Sequence, residues 1–232
     1  AAGNTAILKP SELAVNTSRV MAEIINNNFE EEYIHVVEGG VDETTELLHQ
    51  PFDKIFFTGS TRVGKIVMKA ASEHLSDVTL ELGGKSPTFI LPDANLNVTA
   101  KRIAWGKFLN SGQTCIAPDY ILIHKSVKDK FLALLVKHIE AIHKKEYVDN
   151  EAYVSIINEQ HFNRLTSLVE KDKIYYGGNF DLKNLVISPT ILHGITFNDK
   201  VMEDEIFGPI LPVIEFENIN EVIQEVKMRP KP

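Results

Sequence analysis

The chain has 232 residues, 44% of them hydrophobic and 24% charged, with a formal net charge of −8. That length carries one large domain or two small ones with proper cores, and the composition is ordinary for a globular protein. The acidic balance, with no compensating Lys/Arg cluster, excludes a nucleic-acid partner, and no apolar run approaches the roughly 20 residues of a membrane helix.

In chain order, Thr5 to Leu8 reads as a strand, and Ser11 after Pro10 as the N-cap of a helix. The apolar positions of that helix, Leu13, Val20, Met21, Ile24 and Ile25, recur at helical spacing up to Asn26-Asn27-Asn28. Tyr33 to Val37 is the next strand, closed by Gly39-Gly40, and a polar helix covers Asp42 to His49. Lys54 to Thr58 is a third strand, broken by Gly59. A helix follows with Val63, Ile66, Val67, Ala70, Ala71 and Leu75 on one face, then a fourth strand from Val78 to Leu82. Strands and helices alternating at this spacing imply βαβ units in a mainly parallel sheet, where ligands sit beyond the carboxyl ends of the strands.

From Ser86 the rhythm changes, and a domain boundary is expected near Gly84, giving domains 1–84 and 85–232. Strands are expected at Pro87 to Leu91 and Tyr120 to His124. Helices are expected at Val98 to Phe108, Val127 to His143 and Ile156 to Glu170. Short strands follow near Ile174, Val186, Ile191 and Pro212 to Phe216, and a last helix runs from Asn218 to Lys227.

Several segments carry residue types suited to chemistry, each with a plainer alternative. In Phe57-Thr58-Gly59-Ser60-Thr61-Arg62-Val63-Gly64 a strand ends at a glycine and a helix starts at once, which aims amide N–H groups and the positive helix end at one spot, as a phosphate requires. The plainer reading is a strand-to-helix turn capped by Ser60. Lys9-Pro10-Ser11-Glu12 ends the first strand; Lys9 and Glu12 suit ribose hydroxyls, or Ser11 simply caps while Glu12 complements the helix dipole. Glu81 ends a strand before Leu82-Gly83-Gly84-Lys85, which makes it either a catalytic carboxylate or a strand-end charge paired with Lys85.

Cys115 is the only cysteine, so no internal disulfide is possible, and a thiol that must stay reduced suits a reducing compartment, by default the cytoplasm. It is either a buried inert thiol or, in the polar loop Asn110-Ser111-Gly112-Gln113-Thr114-Cys115, a nucleophile. Glu205-Ile206-Phe207-Gly208-Pro209 combines a carboxylate, an aromatic ring and a rigid turn, and in isolation reads as a turn before a strand. The eight histidines make no ligand pair, so no metal site is expected. The start, Ala1-Ala2-Gly3-Asn4, has neither an initiator Met nor signal-peptide regions and reads as interior to a longer chain.

Taken together these segments resemble the aldehyde dehydrogenase superfamily over essentially the whole chain. The likeness is carried by Ala2-Gly3-Asn4-Thr5 with Lys9-Pro10-Ser11-Glu12, by Phe57 to Gly64, Glu81 to Lys85, Gly112 to Cys115, and Glu205 to Pro209. Gly112 to Tyr120 and His161-Phe162-Asn163-Arg164 are similar to the class 3 and fatty-aldehyde branch. The resemblance implies an α/β fold, a partial Rossmann-type cofactor domain followed by a partial α/β catalytic domain, in a fragment of the whole protein. It implies NAD, or NADP, as cofactor and oxidation of an aldehyde to the acid through a thioester. Cys115 would be the nucleophile and Glu81 the base; Lys9 and Glu12 would hold the adenosine ribose. Gly59, Ser60 and the helix start at Thr61 would meet the pyrophosphate, with Val63 beside the adenine end and Gly64 also among the cofactor-binding residues; Glu205 would bind the nicotinamide ribose and Phe207 would help place the nicotinamide ring. It further implies a homo-oligomeric parent, a dimer, and one oxyanion donor, an asparagine, from a segment before residue 1. The rival activities are a coenzyme A-acylating aldehyde dehydrogenase and a non-catalytic binding piece.

Overall fold

The computed structural model describes residues 3–143, 147 and 153–229. The chain divides into two compact units, Ala1–Leu82 and Gly83–Pro232.

The first unit is two βαβ modules. In one, β1 (Ala6–Leu8) and β2 (Ile34–Val36) are parallel and joined through α1 (Val15–Asn26). In the other, β3 (Lys54–Thr58) and β4 (Asp77–Glu81) are parallel and joined through α3 (Thr61–Ala71), and α2 (Val41–Leu48) links the two modules. Parallel strands cannot close through a tight hairpin, so each pair needs its crossover helix. The expected N-terminus of α1 is displaced: Ser11 Oγ accepts from Leu13 N at 3.3 Å in a preceding turn, and the helix begins at Val15. Pro10 and the turn use up the residues that would have formed its first coil. Of the apolar face read from spacing, Met21 and Ile25 are half-buried while Val20 and Ile24 are exposed; the fully buried residues of α1 are the small Ser18 and Ala22. The side chain of Asn26, at the end of α1, brackets Val36 of β2: its Nδ2 donates to Val36 O at 3.0 Å and its Oδ1 accepts from Val36 N at 2.8 Å.

The second unit is built on a five-stranded sheet in the order β5-β6-β11-β10-β7, from β5 (Pro87–Ile90), β6 (Tyr120–His124), β7 (Ile174–Tyr176), β10 (Thr190–Leu192) and β11 (Ile210–Phe216). All neighbours are parallel except β7, which runs antiparallel to β10. A short antiparallel pair, β8 (Phe180–Asp181) and β9 (Val186–Ile187), stands apart. Alternate residues of β6 feed two cores. Ile121 and Ile123 pack with α4 (Leu96–Phe108) and α5 (Lys128–His143). Tyr120 and Leu122 pack with Phe162 and Leu165 of α6 (Glu159–Thr166) and Val222 of α7 (Ile219–Lys227). A strand covered on both faces must be apolar at every position, which is why Tyr-Ile-Leu-Ile shows no alternation. Burial of each of these side chains contributes about 1.5–3 kcal/mol. The expected helix from Ile156 to Glu170 is shorter, because Asn158 caps it at His161 N and beyond Thr166 the chain tightens into turns, Leu168 N donating to Leu165 O and Val169 N to Thr166 O. No helix among the described residues is long and apolar enough to cross a membrane.

Candidate functional site

In the first unit the register sets Thr58 opposite Glu81, and Gly59 N donates to Glu81 O at 3.0 Å. The strand-end carboxylate and the strand-to-helix turn are thereby one local structure, with the Glu81 residue exposed. Ser60 is the N-cap of α3, its Oγ accepting from Val63 N at 3.3 Å. The capping reading of Ser60 is therefore correct, and it leaves the amides of Thr61 and Arg62, in the first helical turn, without intrahelical acceptors. Gly64 faces inward: a Cβ there would come within 2.6 Å of Leu82 Cδ2, so its contribution is to let α3 lie close on the end of β4.

Lys9 and Glu12 are also adjacent. Lys9 Nζ donates to Gly39 O at 3.0 Å and lies 3.4 Å from Glu12 Oε2. The Glu12 carboxyl is held below its ordinary range, chiefly by its own backbone N–H and then by Lys9. Two of the three ammonium hydrogens are thus committed, leaving one donor beside an exposed carboxylate. A donor and an acceptor side by side match a vicinal diol, and amides at a helix start match a phosphate. These residues fit a dinucleotide.

In the second unit Cys115 is exposed on a turn closed by Ala117 N donating to Thr114 O at 3.2 Å. Three motif segments meet around it through glycines. A Cβ on Gly84 would lie 3.3 Å from Cys115 O, and one on Gly112 would collide with the Gly208 carbonyl. Gly84 N donates to Glu205 Oε1 at 3.0 Å. Burial holds the Glu205 carboxyl above its ordinary range, and the Gly84 N–H partly counters this. Phe207 is in the left-handed region, at φ 48, and is exposed.

An ionic frame holds these segments. Asp119, buried, takes Lys85 Nζ at 2.6 Å on Oδ2 and Ile206 N at 2.9 Å on Oδ1. Lys85 also donates to Val201 O at 3.2 Å and Asp204 O at 2.8 Å. Arg164 donates to Glu205 O at 3.3 Å and Ile206 O at 2.6 Å. Lys107 is buried nearby, its ammonium pushed down to about 8 by desolvation, with Asp119 opposing that shift. Sequence reasoning assigned no role to Lys107, Gln113, Asp119 or Arg164. The one local signal was a carboxylate at Asp119, immediately before the apolar run Tyr120 to Ile123. Among the described residues no three His, Cys, Asp or Glu side chains could hold a metal ion.

Residues 1–228 match the profile of the aldehyde dehydrogenase family. The chain is 49% identical over 232 residues to aldehyde dehydrogenase family 3 member A2 of Rattus norvegicus, covering 100% of this chain and 48% of that protein. A solved structure of the substrate-bound state of Staphylococcus aureus AldH superposes with a TM-score of 0.97 at 48% identity, covering 100% of this chain and 51% of the other. A Mycobacterium tuberculosis aldehyde dehydrogenase complexed with NAD+ matches with a TM-score of 0.84 at 29% identity, covering 96% of this chain and 48% of that one. The chain spans about half the length of the curated relatives it matches. With its motif segments and its match running nearly end to end, this chain belongs to the aldehyde dehydrogenase family.

Proposed function

We propose that the protein to which this chain belongs oxidises an aldehyde to the carboxylic acid with NAD, or NADP, through covalent intermediates on Cys115. The observation that carries this reading is the exposed Cys115 turn, packed on Gly84, whose amide in turn binds Glu205.

The Cys115 thiolate, its proton lost to solvent, bonds to the aldehyde carbon as the C=O π bond opens and the carbonyl oxygen becomes an oxyanion, for which the Cys115 N–H is one donor, worth about 3 kcal/mol. Bound dinucleotide supplies the two-electron acceptor for the hydrogen that leaves this carbon as the thioester forms. Glu81 takes a proton from water, the water oxygen bonds to the acyl carbon, the C–S bond breaks, and acid and thiolate are released. Lys9 and Glu12 hold a ribose; Ser60, Thr61 and the start of α3 meet the pyrophosphate, with Gly59 shaping the turn and Gly64 supporting it. Val63 lies toward the adenine end, Glu205 orients the second ribose, and Phe207 orients the nicotinamide ring. Cys115 lies in the catalytic half, 85–232, and the dinucleotide contacts of Lys9 to Gly64 lie in 1–84. The NAD+ carried by the Mycobacterium tuberculosis relative supports the cofactor class. The Glu12 carboxylate disfavours a 2′-phosphate by like-charge repulsion, whereas a Rattus norvegicus relative 46% identical is named as dimeric and NADP-preferring, so the proposal takes in both dinucleotides. Partners of the whole protein are an aldehyde and a second copy of itself, and its compartment is the cytoplasm.

The test uses the full-length protein. Glu81→Gln should give a burst of reduced cofactor followed by a slow steady state, and Cys115→Ala should give neither while still binding dinucleotide. Acyl-coenzyme A as the product would establish the acylating reading instead, and a wild-type enzyme forming no covalent adduct with aldehyde would refute the scheme.

A further inference from the structure

Between α4 and the Cys115 turn the backbone takes an uncommon course. Asn110 (φ 51, ψ 33), Ser111 (φ 52, ψ 35) and Gly112 (φ 71) are three successive left-handed residues, two of them carrying side chains. L-residues adopt this region at a cost, so surrounding contacts must hold it. Those contacts come largely from one stretch, Tyr153 to Ile157. The Ser111 hydroxyl, buried, donates to Val154 O. The Gln113 carboxamide uses both ends: Nε2 donates to Ser155 O at 3.1 Å and to Asn110 O at 3.2 Å, and Oε1 accepts from Ile157 N at 3.0 Å. Asn110 Nδ2 returns a bond to Gln113 O at 3.1 Å.

The stretch that receives these bonds is itself anchored. Tyr153 Oη donates to Ile187 O at 2.7 Å, Ile156 N donates to Leu185 O at 2.8 Å, and the Ile156 side chain is buried in the core that contains Leu122 and Leu165. A continuous path therefore runs from that core, through residues 153–157, to Gln113, two residues before the nucleophile. The Gln113 carboxamide presents an acceptor and donors in one planar group, which fixes orientation as well as distance.

We propose that Gln113 is a positioning residue for Cys115: its carboxamide splints the left-handed turn to residues 153–157 and so fixes where the sulfur stands. This rests on the reading of Cys115 as nucleophile. Gln113 touches neither sulfur nor substrate in this role; it acts through the backbone of Thr114 and Cys115. Gln113→Met keeps the length and most of the volume without the bonds. Gln113→Glu keeps an acceptor for Ile157 N but sets its second carboxylate oxygen against the carbonyls of Asn110 and Ser155.

In the full-length protein, amide hydrogen exchange over residues 113–119 should quicken by at least about tenfold in Gln113→Met, with exchange elsewhere and the melting temperature little changed. The single-turnover acylation rate should fall roughly 10- to 100-fold with dinucleotide affinity within about twofold, because a small misplacement of a reacting group is costly. Gln113→Glu should fall between Gln113→Met and wild type on both measures. Unchanged exchange over 113–119 in both variants overturns the proposal. So does exchange that rises equally throughout the protein, or a loss of dinucleotide affinity equal to the loss of rate, since either marks a merely structural residue. A wild-type acylation rate in Gln113→Met overturns it while leaving the nucleophile standing. Faster exchange over 113–119 in an enzyme whose wild type forms no adduct with aldehyde would sustain the splint and sink the nucleophile.

Discussion

Lys107 lies on α4 in the second unit with 1% of its surface exposed, and desolvation lowers its ammonium from 10.5 to about 8. Unfolded, the same side chain keeps its proton up to 10.5. Below about pH 8 both states are charged, and folding bears the whole cost of the buried ammonium. The gap between the two values corresponds to roughly 3 kcal/mol. Between about 8 and 10.5 the unfolded chain holds more protons than the folded one, so stability rises with pH through that window. Lys107→Met removes the titrating group, and its packing effect does not depend on pH. Urea unfolding of the full-length protein and of Lys107→Met at pH 7 and pH 9.5 isolates the effect. The wild type should gain about 2 kcal/mol on the variant over that span. Parallel stabilities at the two pH values would refute the reasoning, and a gain by the variant would reverse its sign. Asp119 is the largest of the influences that hold the Lys107 charge in place, so the same comparison made in an Asp119 variant should show a wider gap.

Asp119→Asn keeps an acceptor for Ile206 N but sets an amide donor against Lys85. The Lys85 carbonyl partners soften the loss, so the expected cost is about 3 kcal/mol in urea unfolding, the lower end for a broken buried pair; a cost under about 0.5 kcal/mol would mean that the frame is not held by charge. Gly112→Ala combines φ 71 with a collision at the Gly208 carbonyl. About 2–4 kcal/mol of stability should be lost, and a neutral outcome by the same assay would show that the turn can move aside.

The first unit was legible because its signals are local. Strands ending at Gly59 and Gly39-Gly40, with crossover helices between, give the βαβ modules from spacing alone. What spacing could not reveal is which side chain fills a gap. Leu13, Val20, Met21, Ile24 and Ile25 mark an apolar face, yet only Met21 and Ile25 of it are half-buried, and the residues that α1 buries fully are the small Ser18 and Ala22. The ionic frame was out of reach for a different reason. Lys85 and Asp119 are 34 positions apart, and Asp119 and Ile206 are 87 apart, so no window of sequence contains both members. Lys107 on a helix reads as a solvated charge until the surrounding strands are in place. Asp119 and Arg164 were visible only as parts of a resemblance, and the helix expected to run to Glu170 ends early because Leu168, Val169 and the loop behind them pack on the second core instead.

The meeting of glycines around the Cys115 turn also decides how damage there can be repaired. When an added methyl group strikes a side chain, a second mutation that trims the side chain can restore the space. Gly208 is of that kind, because a Cβ there would come within 2.5 Å of Leu165 Cδ2, and a smaller residue at 165 would make room. Gly112 is of the other kind: its obstacles are the carbonyl of Gly208 and the backbone of Lys107, which no substitution can shorten. Suppressors of a Gly208→Ala defect should therefore be found at Leu165. A Gly112→Ala defect should yield only reversion to glycine; a second-site suppressor that restores its folding would show that the backbone there can yield.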